Sequence, residues 1–103
     1  DQNLFGINYD LGNSASLGYD IDEEFRNYFE HIKNIHIKDR MYNGNTVRLG
    51  EGNANFNKFF KNLKKYKYDN MLIYQTTRSN NNNDIYEIKK NILFIKKQIK
   101  QNV

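Results

Sequence analysis

Three residues with chemically useful side chains sit at or near the ends of short apolar runs. Asp10 closes Leu4-Phe5-Gly6-Ile7-Asn8-Tyr9-Asp10, His36 lies within Asn34-Ile35-His36-Ile37-Lys38-Asp39, and Gln75 comes late in Met71-Leu72-Ile73-Tyr74-Gln75-Thr76. A carboxylate and an imidazole can accept protons, whereas a carboxamide only donates and accepts hydrogen bonds. Successive side chains of a strand alternate between its two faces. Phe5, Ile7 and Tyr9 therefore oppose Gly6, Asn8 and Asp10, while Ile35 and Ile37 oppose His36 and Lys38. In the third run Leu72 and Tyr74 oppose Met71, Ile73 and Gln75. Asp10, His36 and Gln75 thus fall in one set of faces, each at or near the C-terminal end of its strand. Plainer readings stand beside this one. A strand-end aspartate also forms turns or caps a helix, and a lone strand histidine also serves as a satisfied structural residue.

The elements that must position these residues follow from periodicity. After the first strand comes a Gly-, Asn- and Ser-rich stretch from Leu11 to Tyr19, expected as a loop. Asp20 is a good helix cap, with Glu23 three residues on, and Ile21, Phe25, Tyr28, Phe29 and Ile32 form one apolar helical stripe. A glycine-bearing loop through Gly44, Gly50 and Gly52 leads to a second helix capped by Asn55, with Phe56, Phe59, Phe60 and Leu63 on its buried face. The segment from Tyr66 to Asn70 returns to the third strand, and a polar loop from Arg78 to Asp84 follows. In the last helix Ile85, Ile88, Ile92, Ile95 and Ile99 step by three and four, with Lys89, Lys90, Lys96, Lys97 and Lys100 on the other face.

Three strand–helix units with no hairpin signal between them predict an α/β fold with a parallel sheet. Their length, roughly 30–35 residues each, is the repeat of a (β/α)8 TIM barrel. Residues 1–103 are therefore expected to form one partial barrel domain, the last three βα units, and the strand at the very start fits a fragment. Three strands cannot close a barrel and leave two open sheet edges. The expected partners are accordingly the remainder of its own barrel and, in a homo-oligomer, a second copy.

Composition excludes several function classes. The chain has 103 residues, is 38% hydrophobic and carries eight Tyr and seven Phe, too many aromatics for a solvating tail. It has no run of 18 apolar residues and no basic leader, so neither a membrane partner nor a signal peptide is expected, and a cytoplasmic location is. The absence of cysteine excludes a disulfide scaffold and a thiolate metal site. A formal charge of +4 is compatible with an anionic substrate. The lysine face of the last helix has no interleaved aromatics for base stacking, so a nucleic-acid partner is not expected.

Four motifs in order carry a family resemblance: Asp10-Leu11-Gly12-Asn13, Ile35-His36-Ile37-Lys38-Asp39, Leu49-Gly50-Glu51-Gly52 leading into Phe56, and a closing Tyr68 with a strand that reaches Gln75. Together they resemble the C-terminal portion of the xylose-isomerase-like barrel superfamily, nearest its hexulose-phosphate isomerase and ribulose-phosphate 3-epimerase branch. The resemblance runs from about residue 5 to about residue 78. It implies a divalent metal (Mn, Co, Zn or Mg) held by two Glu, one Asp and one His from four strand ends. Asp10 matches the Asp ligand and His36 the His ligand; one Glu belongs to a strand upstream of this chain. The other falls at Gln75, which departs from the pattern at a position that is both metal ligand and catalytic acid/base group in the epimerases. A carboxamide oxygen can still face a metal but cannot accept a proton near neutral pH, so metal binding is expected to be weak or absent in this chain.

The same resemblance places Asn13 and Lys38 near the substrate. Arg40, Arg48 and Arg78 are candidates for a substrate phosphate, whose oxygens match the guanidinium fork; solvated surface charge is the equal alternative for each. The implied function is that of a sugar or sugar-phosphate isomerase or epimerase, working by metal-assisted proton transfer and inactive as a fragment alone. The alternative is a catalytically degenerate barrel that binds carbohydrate. Gln75 is the residue that separates the two.

Overall fold

The computed structural model describes residues 6–75 and 84–101. The strands Ile7–Asp10 (β1), Ile32–Ile37 (β2) and, after two short strands, Leu72–Tyr74 (β5) form one sheet in the order β1-β2-β5, with both pairings parallel. Asp10 stands opposite His36, and His36 opposite Ile73. The outer edges of β1 and β5 carry no partner strand among the described residues. No helix among those residues is long and apolar enough to cross a membrane.

The expected parity holds where the strands meet the helices. Tyr9, Ile35 and Ile37 are buried in the core, and Leu72 and Tyr74 pack against it half-buried. The opposite face carries Asn8, Asp10, Asn34, His36 and Gln75, none of them buried. Much of the core is aromatic. Tyr9 meets Phe25 edge-on at 5.3 Å, and Phe29 meets Tyr66 at 5.0 Å, so interlocking rings fill the space between sheet and helices.

Leu11 to Leu17 is a helix (α1) and not the expected loop. Its glycine, serines and asparagine are poor helix formers in isolation. Tertiary burial overrides this, because Leu11 is fully buried and Ser14 and Ser16 are covered. The Asp10 carboxylate caps the first turn by accepting from the Asn13 N–H at 2.8 Å. Gly18, at φ 75°, ends the helix in the left-handed conformation that glycine adopts without strain.

The next helix, Ile21–Tyr28 (α2), starts as expected at Asp20, whose side chain accepts from the Glu23 N–H. It ends earlier than the apolar stripe implies. A single 3-10 turn, Phe29–His31, closes it, and Ile32 is already the first residue of β2, buried beside the core. The helical spacing of Ile32 coincides with a position that strand pairing claims.

A second departure lies between β2 and the helix Phe56–Lys65 (α3). Asp39–Arg40 (β3) and Thr46–Val47 (β4) pair as a short antiparallel hairpin that the sequence reading did not anticipate. Arg40 clamps its turn by donating from Nε and Nη2 to the Gly44 carbonyl at 3.1 and 2.7 Å. α3 itself follows expectation: Asn55 caps it, and Phe56, Phe59 and Phe60 are buried.

The last helix, Asp84–Gln101 (α4), is present, but the face it buries differs from its isoleucine stripe. Glu87 and Asn91 are covered, with Phe94 and Ile95 packed on the core, while Ile85, Ile88, Ile92 and Ile99 stay exposed. The cause is polar pairing. The Glu87 carboxylate meets Arg48 Nη2 at 2.6 Å, and Asn91 Nδ2 donates to the Tyr74 hydroxyl at 2.6 Å. Edge-on contact of Phe94 with Phe56 at 5.0 Å completes that seat.

Candidate functional site

The site lies at the C-terminal end of the parallel sheet, where β1 and β2 feed α1 and the hairpin. Asp10 and His36 are register partners on adjacent strands, so both side chains leave the sheet on the face opposite the helices. Asp10 Oδ1 is taken by the Asn13 N–H, while Oδ2 has no partner among the described residues. His36 Nδ1 lies 3.4 Å from Gln75 Oε1. With the proton on Nδ1 the ring donates to that oxygen, and Nε2 keeps a free lone pair. The Gln75 backbone N–H bonds to the Ile37 carbonyl at 2.9 Å, which carries the β2–β5 register one residue past β5 and holds Gln75 beside His36. One layer deeper on the same face, Asn34 Nδ2 donates to Asn8 Oδ1 at 3.1 Å.

α1 comes close to this end of the sheet because Gly12 has no side chain. A Cβ there would stand 2.8 Å from Lys38 Cγ and 3.1 Å from the Lys38 carbonyl carbon. The approach brings Asn13 to Arg40, whose Nη1 donates to Asn13 Oδ1 at 2.8 Å. An arginine has no acceptor, so the carbonyl of Asn13 must face it and the amide Nδ2 is left free to donate. Lys38, half-buried next to Gly12, has no polar partner among the described residues.

Asp39 carries the loop beyond. It is fully buried, and its carboxylate accepts from the N–H groups of Gly50 and Gly52 at 2.9 Å each and of Ala54 at 3.0 Å. A buried carboxylate needs such donors to offset its lost hydration. Gly52 is required for the fit, since a Cβ there would lie 2.3 Å from Asp39 Oδ1 and 2.6 Å from the Arg40 carbonyl oxygen. Below the site, Tyr9 and Ser14 both donate to Glu24 Oε1, tying β1, α1 and α2 together. Burial pushes the Tyr9 hydroxyl far above the ordinary tyrosine range, with the Glu24 carboxylate adding to the effect.

Of the residues singled out in the sequence, the fold brings together Asp10, Asn13, His36, Lys38 and Gln75. Arg40 touches the group through Asn13 but spends its other nitrogens on the hairpin turn. Arg48 is engaged by the Glu87 carboxylate at 2.6 Å. Arg78 lies outside the described residues. Sequence reasoning missed Asp39, although its position directly after Lys38 in the quoted motif was visible. It also missed Glu87 and Glu24, whose partners are remote in sequence and leave no local signal.

The donor set for a metal is partial. Asp10 and His36 are register partners, but among the described residues no three His, Cys, Asp or Glu side chains converge. The Gln75 oxygen is engaged with His36. These residues do not by themselves enclose a divalent cation.

A family model described as xylose isomerase-like TIM barrel matches residues 1–98. Among solved structures, a xylose isomerase domain protein from Planctomyces limnophilus is similar at a TM-score of 0.74 and 21% identity, over 93% of this chain. The chain spans 38% of that protein's length. No significant match is found among proteins of curated function.

Proposed function

Because the chain belongs to the xylose isomerase-like TIM barrel family, we propose that it supplies the last three βα units of a barrel acting on a sugar or sugar phosphate as an isomerase or epimerase. The observation that carries this reading is the pairing of Asp10 with His36 at the C-terminal end of a parallel sheet, where barrels of this kind place their chemistry. Around that pair, Asp10 Oδ2 and the free His36 nitrogen accept hydrogen bonds from sugar hydroxyls. Asn13 Nδ2 and the Lys38 ammonium donate to hydroxyl, carbonyl or phosphate oxygens. A divalent metal bound at Asp10 and His36 would polarise a substrate carbonyl; its remaining ligands would come from outside the described residues. A cytoplasmic location is part of the same proposal.

A second reading, a barrel that holds carbohydrate without turning it over, is favoured by Gln75. A carboxamide beside His36 gives no carboxylate to take a proton from carbon. Nuclear magnetic resonance titration of the chain with a pentose phosphate tests site and reaction together. Shift changes confined to residues 10, 13, 36, 38 and 75 are expected. Changes restricted to the lysines of α4 would refute the site, and turnover by the chain alone would refute the need for further strands.

A further inference from the structure

Arg40 joins two elements at once. Its Nε and Nη2 donate to the Gly44 carbonyl at 3.1 and 2.7 Å, and its Nη1 donates to Asn13 Oδ1 at 2.8 Å. All three guanidinium nitrogens thus have protein acceptors. The guanidinium is a rigid planar fork, so two bonds to one backbone oxygen also fix where Nη1 points.

That backbone oxygen is itself held. The Gly44 N–H donates to the Met41 carbonyl at 2.8 Å, and the Met41 N–H to the Asn45 carbonyl at 3.1 Å. The Asn43 N–H donates to the Ser16 carbonyl of α1 at 2.8 Å. Beside this bond the Tyr42 ring covers Gly18, where a Cβ would stand 2.7 Å from Tyr42 Cε2. Asn13 and Ser16 are three residues apart on α1, so they share one of its faces. Hairpin and helix are therefore fastened at both ends of that spacing, and Arg40 is the side-chain fastener.

Asn13 passes the constraint on to the strand end, because its backbone N–H donates to Asp10 Oδ1 at 2.8 Å. A continuous line of bonds runs from Gly44 through Arg40 and Asn13 to Asp10. An unconstrained asparagine can turn its amide over and offer either oxygen or nitrogen to a ligand. This one would lose a charge-assisted bond by turning, so it offers only Nδ2.

Building on the sugar-phosphate reading of the site, we propose that Arg40 is a positioning residue. It holds the Asn13 carboxamide so that Nδ2 donates to a carbonyl or phosphate oxygen of the ligand, and it makes no contact with the ligand itself. The role differs from direct capture of a phosphate, which the two remaining guanidinium N–H groups of Arg40 would otherwise serve.

The test uses the chain within its complete barrel. In the ligand-free protein, nitrogen-15 resonance spectra should show an Arg40 Nη proton protected from exchange, and Asn13→Ala should abolish that protection. An Arg40 signal indifferent to Asn13→Ala would overturn the proposal. Calorimetric titration with D-ribulose 5-phosphate then supplies a double-mutant cycle. Arg40→Met should weaken binding about tenfold in the wild-type background and less than twofold in the Asn13→Ala background. A tenfold loss in both backgrounds would mean that Arg40 contacts the phosphate or only braces the hairpin, and would overturn the positioning role. Arg40→Lys keeps the charge but lacks the fork, and should behave as Arg40→Met does. Asn13→Asp keeps an oxygen on Arg40 but replaces the donor by an acceptor, so it should weaken binding more than Asn13→Ala. The reverse order would overturn the proposal even if both Arg40 variants fail to fold. A wild-type protein that protects the Arg40 proton but binds no D-ribulose 5-phosphate would refute the sugar-phosphate reading and still establish that Arg40 orients Asn13.

Discussion

Asp10 and His36 stand opposite each other on two adjacent parallel strands, with their backbones roughly 5 Å apart. One oxygen of Asp10 caps α1 and the other has no partner among the described residues. The first therefore acts as the helix cap, and the second stays open to the proposed role in the site. Capping holds the carboxylate in one orientation and leaves its second oxygen able to accept.

Gln75 decides how strongly that pair can hold a cation. Hard divalent ions prefer anionic oxygen to a carboxamide. In the presence of the strands that complete the barrel, Gln75→Glu is expected to tighten Mn²⁺ binding at least tenfold, about 1.4 kcal/mol. Isothermal titration of both proteins measures it. Equal affinities would mean that the side chain at 75 does not reach the cation.

Asp39 is the structural anchor of the loop from Gly50 to Ala54. Asp39→Ala strands three backbone N–H groups in a buried setting, and is expected to cost at least about 3 kcal/mol. Asp39→Asn keeps an acceptor oxygen but points an amide at N–H donors, so it should recover only part of the loss. Urea denaturation of the three proteins ranks them.

Two glycines offer a matched pair of substitutions. Gly52→Ala forces a methyl group against the Asp39 carboxylate and the Arg40 carbonyl, and should destabilise by more than about 2 kcal/mol. Gly6→Ala meets Lys33 at Cγ and Cβ, so that side chain must change rotamer, but no backbone or carboxylate atom stands in the way. Its expected effect is smaller, about 1 kcal/mol. Thermal melts that fail to separate the two would contradict the tight seat of the loop.

Lys58 bridges Asp20 and Asp22, at 2.6 and 3.3 Å, across the start of α2. The hydrogen bond from Lys58 holds the Asp20 carboxyl below its ordinary value of 3.8, and the bond from Asn62, with help from Lys58, does the same for Asp22. Lys58 itself is raised above 10.5, chiefly by its bond to Asp20. Carboxylates with depressed values stabilise the fold fully above their unfolded value and lose that contribution as pH falls through the folded one. The raised lysine contributes fully below 10.5 and loses its share as pH rises through its higher folded value. The urea midpoint difference between the wild type and Lys58→Met should therefore be flat across neutral pH, shrink below pH 3.8 and shrink again above 10.5. A difference that grows toward acid would contradict the bridge.

Local chemistry determined much of this molecule without reference to anything distant. The alternation in β1, β2 and β5 sorts apolar from polar side chains, because successive residues of a strand cannot face the same way. Asp20 and Asn55 mark helix starts because their side chains reach N–H groups only three residues ahead. The order of the strand-end motifs carried the family. Tertiary structure decided the rest wherever the deciding partner is far along the chain. α1 exists because the fold buries Leu11 and Ser14, against the preferences of its own residues. Arg48 is claimed by Glu87, a partner remote in the sequence. α4 shows the limit most plainly: periodicity identifies an apolar stripe, but which flank meets the sheet depends on what waits there. Arg48, Tyr74 and Phe56 wait for Glu87, Asn91 and Phe94, so the helix turns its polar pair and one ring inward and leaves its isoleucines outside.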